Sequence, residues 1–284
     1  MEKFKFIKMH GAGNDFVVFD LKTDKNLQLS PEIVKKICHR NFGIGADGVL
    51  VISDTETADF KVEYFEADGS IDNLCANGSR CIIKYAYDSG RLKHNKTRFI
   101  FNNNEYSGEI LPDDLVKFNL NPPVSQKFNF KIKAADQLIT ASYIDNGTPH
   151  IIIKIQDVLK IPDQPGSFYT DIDELPLNEL GKELRHSPDF APNGTNVNFY
   201  SVEDNVVFIR SFERGVEGET LACGTGIAAT AIVCSVNEKI EPPVRFLTRG
   251  GDQLSVNFYV ANQMVKDLSL IGKVMVVFNG ELLI

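Results

Sequence analysis

Residues 226–236 read Gly-Ile-Ala-Ala-Thr-Ala-Ile-Val-Cys-Ser-Val, and this run most constrains the fold. At helical spacing Ile227, Ala228, Ala229, Ala231, Ile232 and Val233 leave every face apolar or small, with no charged stripe. Such a helix must be surrounded by protein. The rest of the chain supplies mostly strand patterns. Alternating or β-branched runs at 15–21, 48–53, 60–65, 98–101, 115–120, 138–143, 151–155, 197–200, 206–212, 244–247, 254–259 and 274–278 read as strands. A mostly antiparallel sheet curling around the buried helix accounts for both observations. The other helices are expected from Ser30 as N-cap and Pro31 to about Arg40, over 175–185, and after Cys75.

The buried helix starts at Cys223-Gly224-Thr225-Gly226, and a second Cys-x-x-Gly helix start stands at Cys75-Ala76-Asn77-Gly78. A thiol at a helix N-terminus meets the positive end of the macrodipole and backbone N–H groups with no intrahelical acceptor. Both lower its pKa and bind anions. The repetition suggests two duplicated halves presenting two thiols to one ligand, a geometry suited to acid–base chemistry on both faces of one carbon.

A chain of 284 residues, 43% hydrophobic, buries a substantial core and fits two domains, with Leu120-Asn121-Pro122-Pro123 as the crossing between them. A net charge of −8 without a basic run excludes a nucleic-acid or anionic-membrane surface and favours a small-molecule substrate. No signal-peptide or membrane-spanning pattern is present, so a cytoplasmic location is expected. The five cysteines include no Cys-x-x-Cys pair and match neither a disulfide framework nor a metal module. Cys38, Cys81 and Cys234, in apolar contexts, read as small buried hydrophobes.

Polar, glycine-rich loops punctuate the strands, and three of them are long and specific. Lys8-Met9-His10-Gly11-Ala12-Gly13-Asn14-Asp15-Phe16, the stretch from Ala67-Asp68-Gly69-Ser70 to Arg80, and Glu213-Arg214-Gly215 through Gly226 together resemble the signatures of the diaminopimelate epimerases, end to end. The resemblance implies an α+β fold of two similar domains, each a strand-rich barrel around a central helix. Residues 1–120 with a returning strand at 271–284 would form one, residues 121–270 the other, and the active site would lie in the cleft between them. It also implies a homodimer, and interconversion of LL- and meso-2,6-diaminopimelate in lysine and peptidoglycan precursor biosynthesis, with neither a metal nor an organic cofactor.

The residues suit that chemistry. An amino-acid α-proton is so weakly acidic that its removal near neutral pH needs a site stabilising the carbanion. Helix-start N–H groups near Ala76, Asn77, Gly78, Gly224, Thr225 and Gly226 can hold an α-carboxylate, while Cys75 and Cys223, in opposite protonation states, take and give the proton. By family pattern Asn14, Asn196, Glu213 and Arg214 bind substrate, Arg214 gripping a distal carboxylate and Glu213 accepting from an ammonium. A surface ion pair between Glu213 and Arg214 is the plainer reading of that dipeptide, and Asn14 and Asn196 as turn caps that of the asparagines. His10 and His150 are expected to orient loops.

The chain departs from the family pattern by one more residue between Glu213-Arg214-Gly215 and Gly218-Glu219-Thr220 than some relatives have, and by three substitutions. Glu66 stands where an Asn is usual, Thr148 where an Asn often precedes Pro-His, and Ala76 where Gly is frequent. Glu66 and Thr148 belong to the expected distal pocket. Glu66 would either repel a distal carboxylate or pair with a distal ammonium. These departures keep open a cofactor-independent racemase or epimerase of another amino acid. A redox sensor joining Cys75 to Cys223 is a rival of another class, though it would not require the anion-binding glycines.

Overall fold

The computed structural model describes residues 2–71 and 74–284. Asp72 and Asn73, inside the first cysteine motif, lie outside the described residues. The chain divides into two compact units, Met1–Asn119 with Ile271–Ile284, and Leu120–Leu270.

In the first unit β1 (Lys3–Gly11) alternates exposed Lys3 and Lys5 with buried Phe4 and Phe6. It turns through Ala12 and Gly13, at φ 54° and 83°, into antiparallel β2 (Asn14–Asp20). Two positive φ values in a two-residue loop match the twist of the flanking strands. Helix α1 (Pro31–Cys38) carries the chain to β3 (Gly48–Ser53), parallel to β2; the Ser30 hydroxyl caps it by accepting the Ile33 N–H. The antiparallel β4 (Phe60–Glu66) follows, then helix α2 (Ala76–Asp88) crosses to β5 (Lys96–Phe101), parallel to β4. The antiparallel β6 (Asn104–Ile110) and β7 (Val116–Asn119) continue the ladder, and the C-terminal strand (Met275–Leu283) pairs with β1. Helix α2 packs against β1, β2 and β3 and also against β6 and β7. Touching strands from both ends of the ladder, it is the axis around which the sheet curls.

The second unit repeats the scheme. Strands β8 (Ser125–Ala134), β9 (Gln137–Asp145) and β10 (Pro149–Lys154) run antiparallel. Helix α3 (Leu177–Arg185) crosses to β11 (Asn196–Glu203), parallel to β10, and β12 (Val206–Glu213) returns antiparallel. The short β13 (Gly218–Thr220) leads to helix α4 (Gly224–Asn237), which crosses to β14 (Val244–Leu247), parallel to β12 and followed by antiparallel β15 (Gln253–Ala261). Every residue of α4 from Gly224 to Cys234 is buried, against β9, β10, β11, β14 and β15. The all-apolar run is thus an enclosed helix, as its pattern requires, in an α+β fold.

Strands absent from the sequence reading are amphipathic or polar. Ser125–Ala134 carries three lysines on a largely exposed face, and Asn104–Ile110 carries two acidic residues. Helix α1 ends at Cys38, two residues short of the expected 40, and α3 begins at Leu177 because Pro176 occupies its N-cap. Among the described residues no helix is long and apolar enough to cross a membrane.

Candidate active site

Cys75 is the N-cap of α2, in extended backbone, and its sulfur accepts the Gly78 N–H at 3.4 Å. The Cys75 thiol also donates to the amide oxygen of Asn14 at 3.4 Å. Asn14 faces that way because its Nδ2 donates to Asp47 Oδ2 at 2.7 Å, which turns the amide oxygen toward the helix start. Behind this pair stands a charged lattice. Arg40 bonds Asp15 at 2.9 Å and Asp47 at 2.6 Å, and buried Lys8 holds Asp15 at 2.7 Å and donates to the Gly45 carbonyl. Burial raises the pKa of Asp15, but hydrogen bonds and charge from Arg40 and Lys8 outweigh it and bring it down to about 2. Asn77, 2% exposed, donates to the Asn14 oxygen at 3.4 Å and accepts from fully buried Arg80 at 2.6 Å. Cys75 is half-buried.

Cys223 is the N-cap of α4 and is 5% exposed. Its environment differs. Burial, then the negative charge of Glu213, pushes the Cys223 thiol well above its ordinary value, while hydrogen bonds from the Gly226 backbone N–H and then the Thr225 hydroxyl pull the other way. The thiol is therefore protonated at neutral pH. Thr225 Oγ1 lies 3.6 Å from the sulfur and 3.0 Å from His150 Nε2. His150 is fully buried on β10, and burial with the nearby Arg214 charge lowers its pKa to about 3, so the ring is neutral. Asn146 donates to the Thr225 carbonyl at 2.9 Å and fixes the first turn of α4.

The remaining expected residues divide between these settings. Asn196, 3% exposed, accepts the Arg214 backbone N–H at 2.8 Å and donates to the Pro149 carbonyl at 3.3 Å, so its side chain ties two loops together. Glu213 accepts from the Thr220 hydroxyl. The exposed Arg214 side chain donates to the Asn193 carbonyl at 3.5 Å. Thr148 is half-buried in the turn between β9 and β10. Glu66 ends β4 opposite Gly48, and its backbone closes a turn with Gly69 and Ser70 ahead of Cys75. Ala76 and Gly78 are buried in the first turn of α2, Gly224 and Thr225 in that of α4.

His10 accepts the Gly13 N–H at 3.2 Å, in line with a loop-orienting role. Cys38, Cys81 and Cys234 are buried, and desolvation pushes the first two up to about 12. The sequence reading missed Asp47, Arg40, Asn198 and Ser211. Asp47 and Asn198 were within reach, since they lie in the polar Asn41–Gly48 and Gly194–Asn198 segments, but Ser211 looks like an ordinary strand residue.

The arrangement is two helix-start thiols, each held by a hydrogen-bonded support, in one repeated architecture. The sequence profile of the diaminopimelate epimerases, described as "Diaminopimelate epimerase", matches residues 6–125 and 142–274. The chain is 36% identical over 290 residues to the diaminopimelate epimerase of Aquifex aeolicus, covering 98% of this chain and 97% of that one. It is 34% identical over 277 residues to that of Chlorobaculum tepidum, with 96% and 99% covered. Among solved structures, a Bacillus anthracis phenazine biosynthesis protein of the PhzF family aligns over 100% of both chains with a TM-score of 0.74 at 14% identity, a likeness of fold alone. Matched along nearly its whole length, the chain belongs to the diaminopimelate epimerase family.

Proposed function

We propose that this protein interconverts LL- and meso-2,6-diaminopimelate by proton exchange at one α-carbon, with Cys75 and Cys223 as its acid–base pair. The observation that carries the reading is a thiol at the N-cap of each unit's central helix, Cys75 on α2 and Cys223 on α4. In one direction the Cys75 thiolate takes the α-proton, and the C–H electron pair is left as a carbanion delocalised into the carboxylate. Cys223 then gives its proton to the opposite face and becomes the thiolate. The raised Cys223 pKa suits the donor role in that direction. In the reverse direction the roles exchange.

The first-turn N–H groups of Ala76, Asn77 and Gly78, and of Gly224 and Thr225, bind the α-carboxylate and its enediolate-like charge. Asn14 and Asn196 shape the pocket, and Glu213 and Arg214 meet the distal ammonium and carboxylate, with Glu66 and Thr148 completing that end. Neither metal nor organic cofactor enters this scheme. A cytoplasmic homodimer without nucleic-acid partners completes the reading. In its support, the C-terminal strand exposes Met275, Val276, Val277 and Phe278 in succession, an apolar strand suited to a second copy. Incubation with LL-diaminopimelate in deuterated water should give meso product carrying deuterium at one α-carbon. Release of unlabelled product, or no exchange with this substrate, would sink the assignment.

A further inference from the structure

The polar groups behind Cys223 form a chain whose proton positions can be worked out one link at a time. Asn198 on β11 is fully buried, and its Nδ2 lies 3.2 Å from the Ile151 carbonyl and 3.2 Å from His150 Nδ1. The Ser211 hydroxyl on β12 donates to its Oδ1 at 2.8 Å. A carbonyl only accepts, so the Asn198 nitrogen must face Ile151, and the amide cannot be flipped. Its second N–H then points at His150 Nδ1, which has to be the unprotonated nitrogen of the neutral ring. The ring proton therefore sits on Nε2 and is donated to Thr225 Oγ1 at 3.0 Å. With its oxygen already accepting from His150, the Thr225 hydroxyl has one hydrogen to place. Among the described residues the Cys223 sulfur, 3.6 Å away, is its one hydrogen-bonding neighbour besides His150.

We propose that Asn198 is a positioning residue for Cys223: it locks His150 in the Nε2–H tautomer, and this turns the Thr225 hydroxyl hydrogen onto the sulfur and stabilises the thiolate left when Cys223 gives up its proton. The device answers a specific need. Burial and the Glu213 charge favour the protonated thiol, so a donor aimed from the other side lets one sulfur serve in both protonation states. The inference rests on the acid–base role of Cys223, but its test needs no substrate, so its failure and that of the diaminopimelate assignment can be told apart.

Two measurements on the full-length protein decide it. In 15N-histidine NMR, with the His150 signals assigned by loss in His150→Gln, the wild type should show Nε2 protonated and Nδ1 bare between pH 6 and 9. Asn198→Asp should move the proton to Nδ1, since a carboxylate there can only accept. Alkylation of Cys223 by iodoacetamide at pH 8.5, followed by peptide mass spectrometry, reads the second link. Thr225→Val, of the same shape, should slow it about threefold to tenfold, because losing a hydrogen bond to the thiolate raises the thiol pKa by about one unit and higher intrinsic nucleophilicity offsets part of that. Thr225→Ser should restore the wild-type rate. If Asn198→Asp does not fold, the wild-type spectrum and the Thr225 pair still settle the matter. A protonated Nδ1 in the wild type, or Thr225→Val alkylated at the wild-type rate, overturns the proposal.

Discussion

The two cysteine-capped helices look like copies of one motif, yet each unit supports its sulfur differently. In the first unit the sulfur meets an amide oxygen held by a lattice of full charges, Asp47, Arg40, Asp15 and Lys8. In the second it meets a hydroxyl held by neutral groups, His150, Asn198 and Ser211. The difference follows from burial. Arg40 and Asp47 keep water contact and buried Lys8 is paired with Asp15, so charges are sustainable there, whereas His150 and Asn198 are fully enclosed, where an unpaired charge would cost several kcal/mol. Both units share the helix start and its cysteine, and each carries the polar support its surroundings allow.

Symmetry of chemistry with asymmetry of support makes a first, large prediction. On the proposed exchange, in which each enantiomer presents its α-hydrogen to a different thiol, Cys75→Ala and Cys223→Ala should each lower turnover by on the order of 10³-fold or more with unfolding midpoints near wild type. Either variant keeping near-normal turnover would break the equivalence of the two sites.

The glycines three residues after each cysteine should separate the copies next. A Cβ on Gly226 would sit 2.3 Å from Asn198 Oδ1 and 3.2 Å from the Cys223 sulfur, and Asn198 is pinned by Ser211, Ile151 and His150. A Cβ on Gly78 meets only ordinary contacts, Phe16 at 3.4 Å and Cys75 at 3.5 Å. Gly226→Ala should therefore cost about 1–3 kcal/mol in urea unfolding, while Gly78→Ala should be neutral or stabilise by up to about 1 kcal/mol through helix propensity. Equal costs would mean that both helix starts are packed alike.

How far this asymmetry could be read from the sequence depends on range. The enclosed helix, the two cysteine caps and most strands were legible, because apolar periodicity and capping residues act within a few positions of themselves. The structure agrees on the N-cap role of both cysteines and on the Ser30 cap. The supports were not legible. Asn198 becomes meaningful only because β10, β11 and β12 lie side by side, bringing His150 and Ser211 to it. Asp47 acquires its role only when β2 and β3 align and carry Asn14 beside it.

A moderate effect is expected at Asp47. Without it the Asn14 amide keeps only the longer bond from Asn77 and can flip to present N–H groups to Cys75, so Asp47→Ala should reduce kcat/KM about tenfold, equivalent to about 1.4 kcal/mol of lost orientation. Arg40→Ala should do less, because Asp47 would still hold Asn14. The reverse order would place the function of the lattice in its charge, not in the orientation of Asn14.

The last prediction concerns acid stability, and it distinguishes the supports by pH window. His150 has a folded-state pKa of about 3 against an ordinary 6.5, so between those values the unfolded chain binds a proton that the native protein does not. Stability should then fall as pH drops below about 6.5, with a slope approaching 1.4 kcal/mol per pH unit from this one group, until the native ring also protonates near 3. Asp15 works lower. Its pKa falls from 3.8 to about 2 on folding, so the stability it contributes is complete above about 3.8 and is lost as pH falls through about 2. Urea unfolding at a series of pH values should thus show a descent between about 6.5 and 4 that His150→Gln flattens and Asp15→Asn leaves in place. If His150→Gln kept the wild-type slope there, the imidazole would have to be charged in the folded protein, and the neutral character assigned to the second support would be wrong.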